Sequence, residues 1–162
     1  MSSDFNKDAL FRSAKRINVS YFKEQQEDAI NAIWQWWQSQ SISFTLSGYA
    51  GTGKTFIMRH LVRYLIIEKV CVTAPTHKAL RVLENSSGKK GMTIQSLCGL
   101  RPDVDIEDYN IENPSFKVIG EQKMRGYRLV IIDECSMINP GLFNLLIKTA
   151  IQCRCKLLFL GD

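Results

Sequence analysis

The sequence predicts a doubly wound α/β domain, in which a parallel sheet carries helices on both faces. Strand and helix candidates alternate along the 162 residues. Three of the strand candidates are apolar on both faces, as strands must be when helices cover their two sides. A glycine-rich segment, Gly48-Tyr49-Ala50-Gly51-Thr52-Gly53-Lys54-Thr55, lies between a strand candidate and a helix candidate. That is where α/β sheets place phosphate-binding turns.

Residues 1–20 form a polar lead-in. Ala29, Ile30, Ile33, Trp34 and Trp37 recur at helical spacing, so a helix is expected over 23–38 with this stripe on the core. The tryptophans could instead form a base-stacking platform, but their spacing fits packing better. A strand over 43–47 leads into the glycine-rich turn, and a helix over 54–69 follows it. In that helix Phe56, Met58, Leu61, Val62, Leu65 and Ile66 are available to pack. Residues 70–74 are a second strand, broken at Pro75. A short helix over 77–83 and a loop at Asn85-Ser86-Ser87-Gly88 come next.

Another helical turn begins over 93–97. Between 101 and 127 the pattern weakens, with Pro102 and Pro114 as breakers, and the segment reads as an insertion or small subdomain. Residues 129–132 are a third strand, ending at Asp133-Glu134. Asn139-Pro140 is a helix start, with proline at the first helical position, and the helix should continue to about 151. A fourth strand over 156–160 ends at Gly161-Asp162.

The glycine-rich segment fits G-x-x-x-x-G-K-[ST] without a mismatch. Glycines let the backbone wrap so that several N–H groups face phosphate oxygens, and the helix start adds partial positive charge. Lys54 then places an ammonium against the β- and γ-phosphates of ATP, and the Thr55 hydroxyl is a ligand for Mg²⁺. Gly48, Ala50, Gly51, Thr52 and Gly53 are the backbone cradle. At the end of the third strand, Asp133 is the second Mg²⁺ residue and Glu134 the group that deprotonates the attacking water. Carboxylates at a strand end also suit a helix cap. The paired Asp-Glu points to hydrolysis, and no Asn-Lys-x-Asp guanine reader is present.

Lys plus Arg number 21 against 16 Asp plus Glu, a formal charge of +5. That is compatible with a polyanionic partner without requiring one. The five cysteines (Cys71, Cys98, Cys135, Cys153 and Cys155) show no Cys-x-x-Cys pair or metal spacing with histidine. They read as reduced intracellular thiols, with Cys71 and Cys135 in or beside apolar runs. Residues 1–20 carry Lys7, Arg12, Lys15 and Arg16 but lack the apolar core of a secretory signal, and no apolar stretch is long enough to span a membrane. A cytoplasmic, monomeric protein without a membrane partner is expected, in the host cytoplasm if phage-encoded.

In this order the motifs resemble the N-terminal motor domain of superfamily 1B DNA helicases, the RecD- and Dda-like group, over residues 21–162. The resemblance implies a RecA-like P-loop NTPase fold, ATP and Mg²⁺ as cofactors, and 5′ to 3′ travel on single-stranded DNA or into a forked duplex. Phe22-Lys23-Glu24-Gln25-Gln26-Glu27-Asp28-Ala29 resembles the family's adenine-reading opening, with Gln26 as the reader and Gln25 as the competing choice. A glutamine amide can pair with both N6 and N7 of adenine. Thr73-Ala74-Pro75-Thr76-His77-Lys78 resembles motif Ia, which implies DNA contacts at Pro75, Thr76, His77 and Lys78. Thr93-Ile94-Gln95-Ser96 resembles motif Ib, with Gln95 in place of histidine, and implies contacts at Thr93 and Ser96. The 101–127 segment stands where the family inserts a small subdomain with a strand-separating pin, although Asp103, Asp105, Glu107 and Asp108 make it acidic.

Residues 157–162 resemble the opening of motif III. In the family ATP sits between two motor domains, and this chain offers one face of that cleft. By itself it is expected to hydrolyse ATP very slowly and not to unwind DNA. Replication or recombination proteins are further expected partners. Two other classes stay open: an AAA+ type ATPase of DNA replication or recombination, and a non-catalytic ATP-binding module.

Overall fold

The structure, a computed structural model, describes residues 24–49, 53–64, 69–100 and 120–161. Its elements are α1 (Glu24–Gln38), β1 (Ser43–Ser47), α2 (Lys54–Tyr64), β2 (Val70–Ala74), α3 (His77–Ser87), β3 (Met92–Thr93), α4 (Ile94–Cys98), β4 (Leu129–Ile132), α5 (Pro140–Cys153) and β5 (Lys156–Gly161). The lead-in and most of the 101–127 insertion lie outside the described residues, as do Leu65 and Ile66.

The five strands form one parallel sheet in the order β1-β5-β4-β2-β3. β2 and β4 are buried at every position, and β5 at all but Lys156. Alternate side chains divide between two cores, as the two-residue period of a strand requires. Val70, Val72, Leu129, Ile131, Leu158 and Leu160 pack with α1, α2 and α3. Cys71, Val130, Ile132, Leu157 and Phe159 pack with α4 and α5 on the other face. The apolar runs are therefore strands covered twice, as the doubly wound reading requires. β1 is an edge strand with Thr45 and Ser47 exposed.

The α1 stripe is buried at Ile30, Ile33 and Trp37, and half-buried at Ala29 and Trp34, so it packs rather than offering a stacking platform. The stripe also includes Trp36, which the spacing argument omitted. Its ring lies 5.7 Å from that of Phe44 in β1. In α2, Ile57 joins Met58, Leu61 and Val62 in the core, while Phe56 is half-buried and lies 4.2 Å from the His60 ring.

Two helices run past their expected ends. α3 runs through Asn85, Ser86 and Ser87, and the serine hydroxyls donate back to the Leu83 and Glu84 carbonyls at 2.9 and 3.5 Å. Gly88 then ends the helix in the left-handed conformation. α5 begins as expected, with Asn139 Oδ1 accepting from Leu142 N–H at 2.8 Å, but extends to Cys153, where Arg154 turns left-handed. The two-residue strand β3 was not anticipated. It pairs with the end of β2 and carries Thr93 as the cap of α4.

All five cysteines are free. Burial raises the thiol pKa to about 11 for Cys71 and about 12 for Cys98 and Cys155, so these behave as small apolar groups. Among the described residues no helix is long and apolar enough to cross a membrane, and no cluster of His, Cys, Asp or Glu could hold a metal.

Lys156 ties β5 to the end of α1. Its ammonium donates to the carbonyls of Trp36, Ser39 and Ser41 at 3.0, 2.9 and 2.8 Å and lies 5.0 Å from the Trp36 ring centroid. It satisfies carbonyls that the helix end leaves without helical partners. Lys156→Met should destabilise the fold by about 2 kcal/mol, from the loss of charge-assisted bonds. Thermal denaturation followed by circular dichroism should show a midpoint lower by about 4–8 °C. An unchanged midpoint would show that the three bonds contribute nothing net.

Candidate nucleotide-binding site

Because every strand is parallel, all five carboxyl ends meet one edge of the sheet. In open α/β sheets ligands bind outside that edge. β1 delivers the glycine-rich loop, β4 delivers Asp133-Glu134, and β5 lies between them. With one strand intervening, the ends of β1 and β4 stand about 10 Å apart. That leaves room for a phosphate chain and a metal between loop and carboxylate.

The loop starts where Gly48 N–H donates to the Gly161 carbonyl at 3.2 Å. Ala50, Gly51 and Thr52 lie outside the described residues. Lys54 opens α2 and its ammonium donates to the carbonyl of Gly48, and to that of Tyr49 at 3.2 Å. The cation is thus held over the loop it follows in sequence. Gly53 O accepts from Ile57 N–H at 2.9 Å, the first helical bond of this turn. Thr55 is exposed on the first turn of α2.

Gly53 has φ +92°, and a Cβ there would run into Gln26 Nε2. The amide of Gln26 therefore rests on the loop. The Gln25 side chain lies outside the described residues.

Asp133 is half-buried, and its N–H donates to the Thr73 carbonyl at 3.0 Å, extending the β2–β4 ladder by one residue. By strand alternation Asp133 shares the side of Ile131, the face that α2 covers. Its Oδ1 accepts from Glu134 N–H at 3.0 Å. Glu134 is exposed and left-handed, with φ 53°. A non-glycine residue there costs on the order of 1–2 kcal/mol, and such strain gathers at functional sites. It swings the chain into the 3-10 turn Cys135–Met137.

Cys135 was read from the sequence as a small apolar thiol. In the structure it marks where the two halves of the site meet. Its pKa is raised mainly by burial and further by Asp133, while Lys54 opposes the rise. The thiol is therefore within electrostatic reach of both the loop cation and the strand-end carboxylate. Gly161 completes this junction. A Cβ there would lie 2.5 Å from Cys135 Sγ and 3.7 Å from the Cys135 and Ser136 nitrogens. Neither contact was legible, because each depends on β5 lying between β1 and β4.

The other candidates lie farther along the same edge. Pro75 is half-buried, and Thr76, His77 and Lys78 are exposed at the start of α3. Thr76 Oγ1 accepts from Ala79 N–H at 3.2 Å, and Thr93 Oγ1 accepts from Ser96 N–H at 3.3 Å. Both threonines are thus helix caps that still carry a hydroxyl proton to donate. The Ala74–Thr93 pairing sets their loops side by side. These residues lie on the β2–β3 side of the sheet, away from the glycine-rich loop.

Fold and site together define a P-loop NTPase domain. A family model described as an AAA domain matches residues 21–162. The ATP-dependent DNA helicase Dda of Enterobacteria phage T4 is 32% identical over 142 residues, covering 86% of this chain and 31% of that protein. The ATP-dependent DNA helicase Pif1 of Psychrobacter sp. (strain PRwf-1) is 27% identical over 100 residues, covering 62% of this chain and 15% of that one. The crystal structure of Pif1 helicase from Candida albicans superposes with a TM-score of 0.60 at 25% identity, covering 88% of this chain and 33% of that one. The chain belongs to the AAA-domain family of that model and is a homologue, over most of its length, of the superfamily 1B DNA helicases. It spans no more than about a third of each relative's length.

The Gly161 junction can be tested directly. Gly161→Ala should destabilise the fold by about 1–3 kcal/mol through overpacking against the thiol. Cys135→Ala in the same chain should restore most of that loss. Urea denaturation of the single and double variants measures the coupling. A neutral Gly161→Ala, or a loss that Cys135→Ala leaves untouched, would contradict the contact.

Proposed function

We propose that this chain is the N-terminal ATP-binding motor domain of an ATP-dependent DNA helicase that moves 5′ to 3′ on single-stranded DNA and opens forked duplexes. The observation that carries the reading is the shared sheet edge, where β1 leads into the loop and Lys54 and β4 leads into Asp133, with only β5 between them. It supports a single site in which the loop cation and the strand-end carboxylate face the same phosphates. Gly48, Ala50, Gly51, Thr52 and Gly53 would supply backbone donors, and Gln26 would read adenine from its seat on Gly53. Lys54 would neutralise the β- and γ-phosphates.

The donor set suits Mg²⁺, which takes oxygen ligands, commonly one or two carboxylates with substrate phosphates. The Thr55 hydroxyl and the Asp133 carboxylate are such oxygens, on elements that border the same gap. Bound there, Mg²⁺ would draw charge from the β- and γ-phosphate oxygens. Asp133 also accepts from Glu134 N–H, which ties the metal residue to the base. Glu134, exposed on its left-handed turn, would take the proton of the attacking water.

Pro75, Thr76, His77, Lys78, Thr93 and Ser96 would form the track for single-stranded DNA. Their support is position: the motif Ia and Ib loops neighbour each other and stand beside the Asp133-Glu134 strand end. A strand held there could respond to changes at the nucleotide through β2 and β4. Replication or recombination proteins are the proposed partners, and a monomer the proposed state.

Glu134→Gln should lower ATP turnover by about 10²–10⁴-fold, the usual contribution of a positioned base. Affinity for ATP with Mg²⁺ should stay within about threefold, because the amide keeps the shape but cannot take the proton. Phosphate release and equilibrium nucleotide binding, measured on the same preparation with single-stranded DNA, separate the two effects. Turnover unchanged from the parent chain would remove Glu134 as the base.

A further inference from the structure

The outer face of α3 carries positive charge that the fold does not use. Lys78, Arg81, Val82 and Asn85 follow helical spacing on the side opposite the buried Leu80 and Leu83, and all four are exposed. Lys89 and Lys90, also exposed, come directly after the helix. Glu84 is the one acidic residue between 75 and 100. Its Oε1 accepts from Gly91 N–H at 2.7 Å, which engages the carboxylate with the loop backbone. Among the described residues no carboxylate pairs with Lys78, Arg81, Lys89 or Lys90.

The loop that holds the two lysines is fastened to the body of the domain. Gly88 N–H donates to the Glu84 carbonyl at 2.9 Å, and Lys89 N–H donates to Ser87 Oγ at 3.2 Å. Gly91 presses on β2, where a Cβ would run into the Val72 carbonyl and the Leu80 side chain. A helix and a tied loop therefore carry the cations, and only their side chains have to settle on binding. From Lys78 to the end of α3 the row extends about 14 Å at 1.5 Å per residue. That is about four base-pair steps of a duplex. Lysines beside an edge strand also discourage strand pairing, and β3 is such an edge. That accounts for Lys89 and Lys90 but not for Arg81, which stands on the helix.

We propose that Arg81, Lys89 and Lys90 form a surface for the backbone of double-stranded DNA, an assignment that rests on the DNA-motor reading above. Surfaces that hold single strands combine cations with aromatic rings on which the bases stack. The outer face of α3 has no Phe, Tyr or Trp, and Val82 and Asn85 fill the space among its cations. It offers contacts to phosphate alone. A duplex suits such a face, because its bases are already stacked and paired and its backbone lies outermost. The Arg81 guanidinium can take two phosphate oxygens at once, while the two ammonium groups act as point charges. Contacts of this kind position the duplex without selecting sequence. Lys78 begins the row and also belongs to the proposed single-strand track, so the surface sets the duplex arm of a fork beside that track.

The test is fluorescence anisotropy of two labelled probes, a blunt duplex and an oligothymidylate, each titrated with the full chain at several KCl concentrations. The variants are Arg81→Ala, the double variant Lys89→Ala with Lys90→Ala, and Lys148→Ala. Lys148 is exposed on α5, which covers the opposite face of the sheet, and controls for loss of positive charge in general. For the duplex, Arg81→Ala should flatten the slope of log K against log salt by about 0.9, the value for one phosphate, and the double variant by about twice that. Both should weaken duplex binding several-fold at low salt. Oligothymidylate binding should keep its slope in both, and Lys148→Ala should leave both probes unchanged. An unchanged duplex slope in Arg81→Ala and in the double variant overturns the assignment. So does an equal flattening with oligothymidylate, which would make this a single-strand surface, or with Lys148→Ala, which would reduce the effect to net charge. If the parent chain binds oligothymidylate but not the duplex, the motor reading stands and this assignment fails. If it binds neither, both fail.

Discussion

The hydrogen bond from Gly48 N–H to the Gly161 carbonyl decides where the glycine-rich loop begins, and the missing side chain at Gly161 decides how closely the next turn approaches. One residue at the tip of β5 therefore locates both halves of the nucleotide site. The loop hangs from its carbonyl, and the Cys135 thiol after Asp133-Glu134 lies against its Cα. This works because β5 separates β1 from β4 in a wholly parallel sheet. A different strand order would leave Lys54 and Asp133 at the same edge but without this shared support.

The same edge shows how one group can serve folding and function together. Thr76 and Thr93 cap helices through their oxygens, which satisfies backbone N–H groups that a helix start leaves without partners. A hydroxyl that accepts in this way retains a proton to donate. Cap and phosphate ligand are therefore compatible roles, and the local geometry favours neither one alone. Glu134 is the opposite case. Its left-handed backbone opposes local preference, and the cost must be met by the packing of β4 below and the 3-10 turn above.

Much of the fold was legible because burial leaves a pattern in residue type. The 70–74 and 129–132 runs are apolar at nearly every position, and no solvent-facing strand can be. The glycine-lysine motif was legible because its spacing is tied to a backbone shape. Asn139-Pro140 likewise marked the start of α5. The ends of α3 and α5 were less legible, since Ser86, Ser87 and Arg154 act through bonds or a backbone conformation that composition does not announce. Trp36 was missed because its burial depends on Phe44 and Lys156, which come from other elements. The approach of Cys135 to Gly161 was missed for the same reason: each gains its meaning from a residue distant in sequence. Membership of the superfamily 1B helicases came from the order of several motifs, whereas the contacts that assemble the site came from the sheet.

The central claim is that the loop and the β4 strand end form one site for ATP with Mg²⁺, and calorimetric titration of ATP with Mg²⁺ into the parent chain and into Lys54→Ala tests it most directly. The parent chain should bind one nucleotide, and removing the ammonium should weaken that binding at least about tenfold, equivalent to about 1.4 kcal/mol. Equal affinity in the two proteins would contradict the account, because Lys54 would then not face the phosphates.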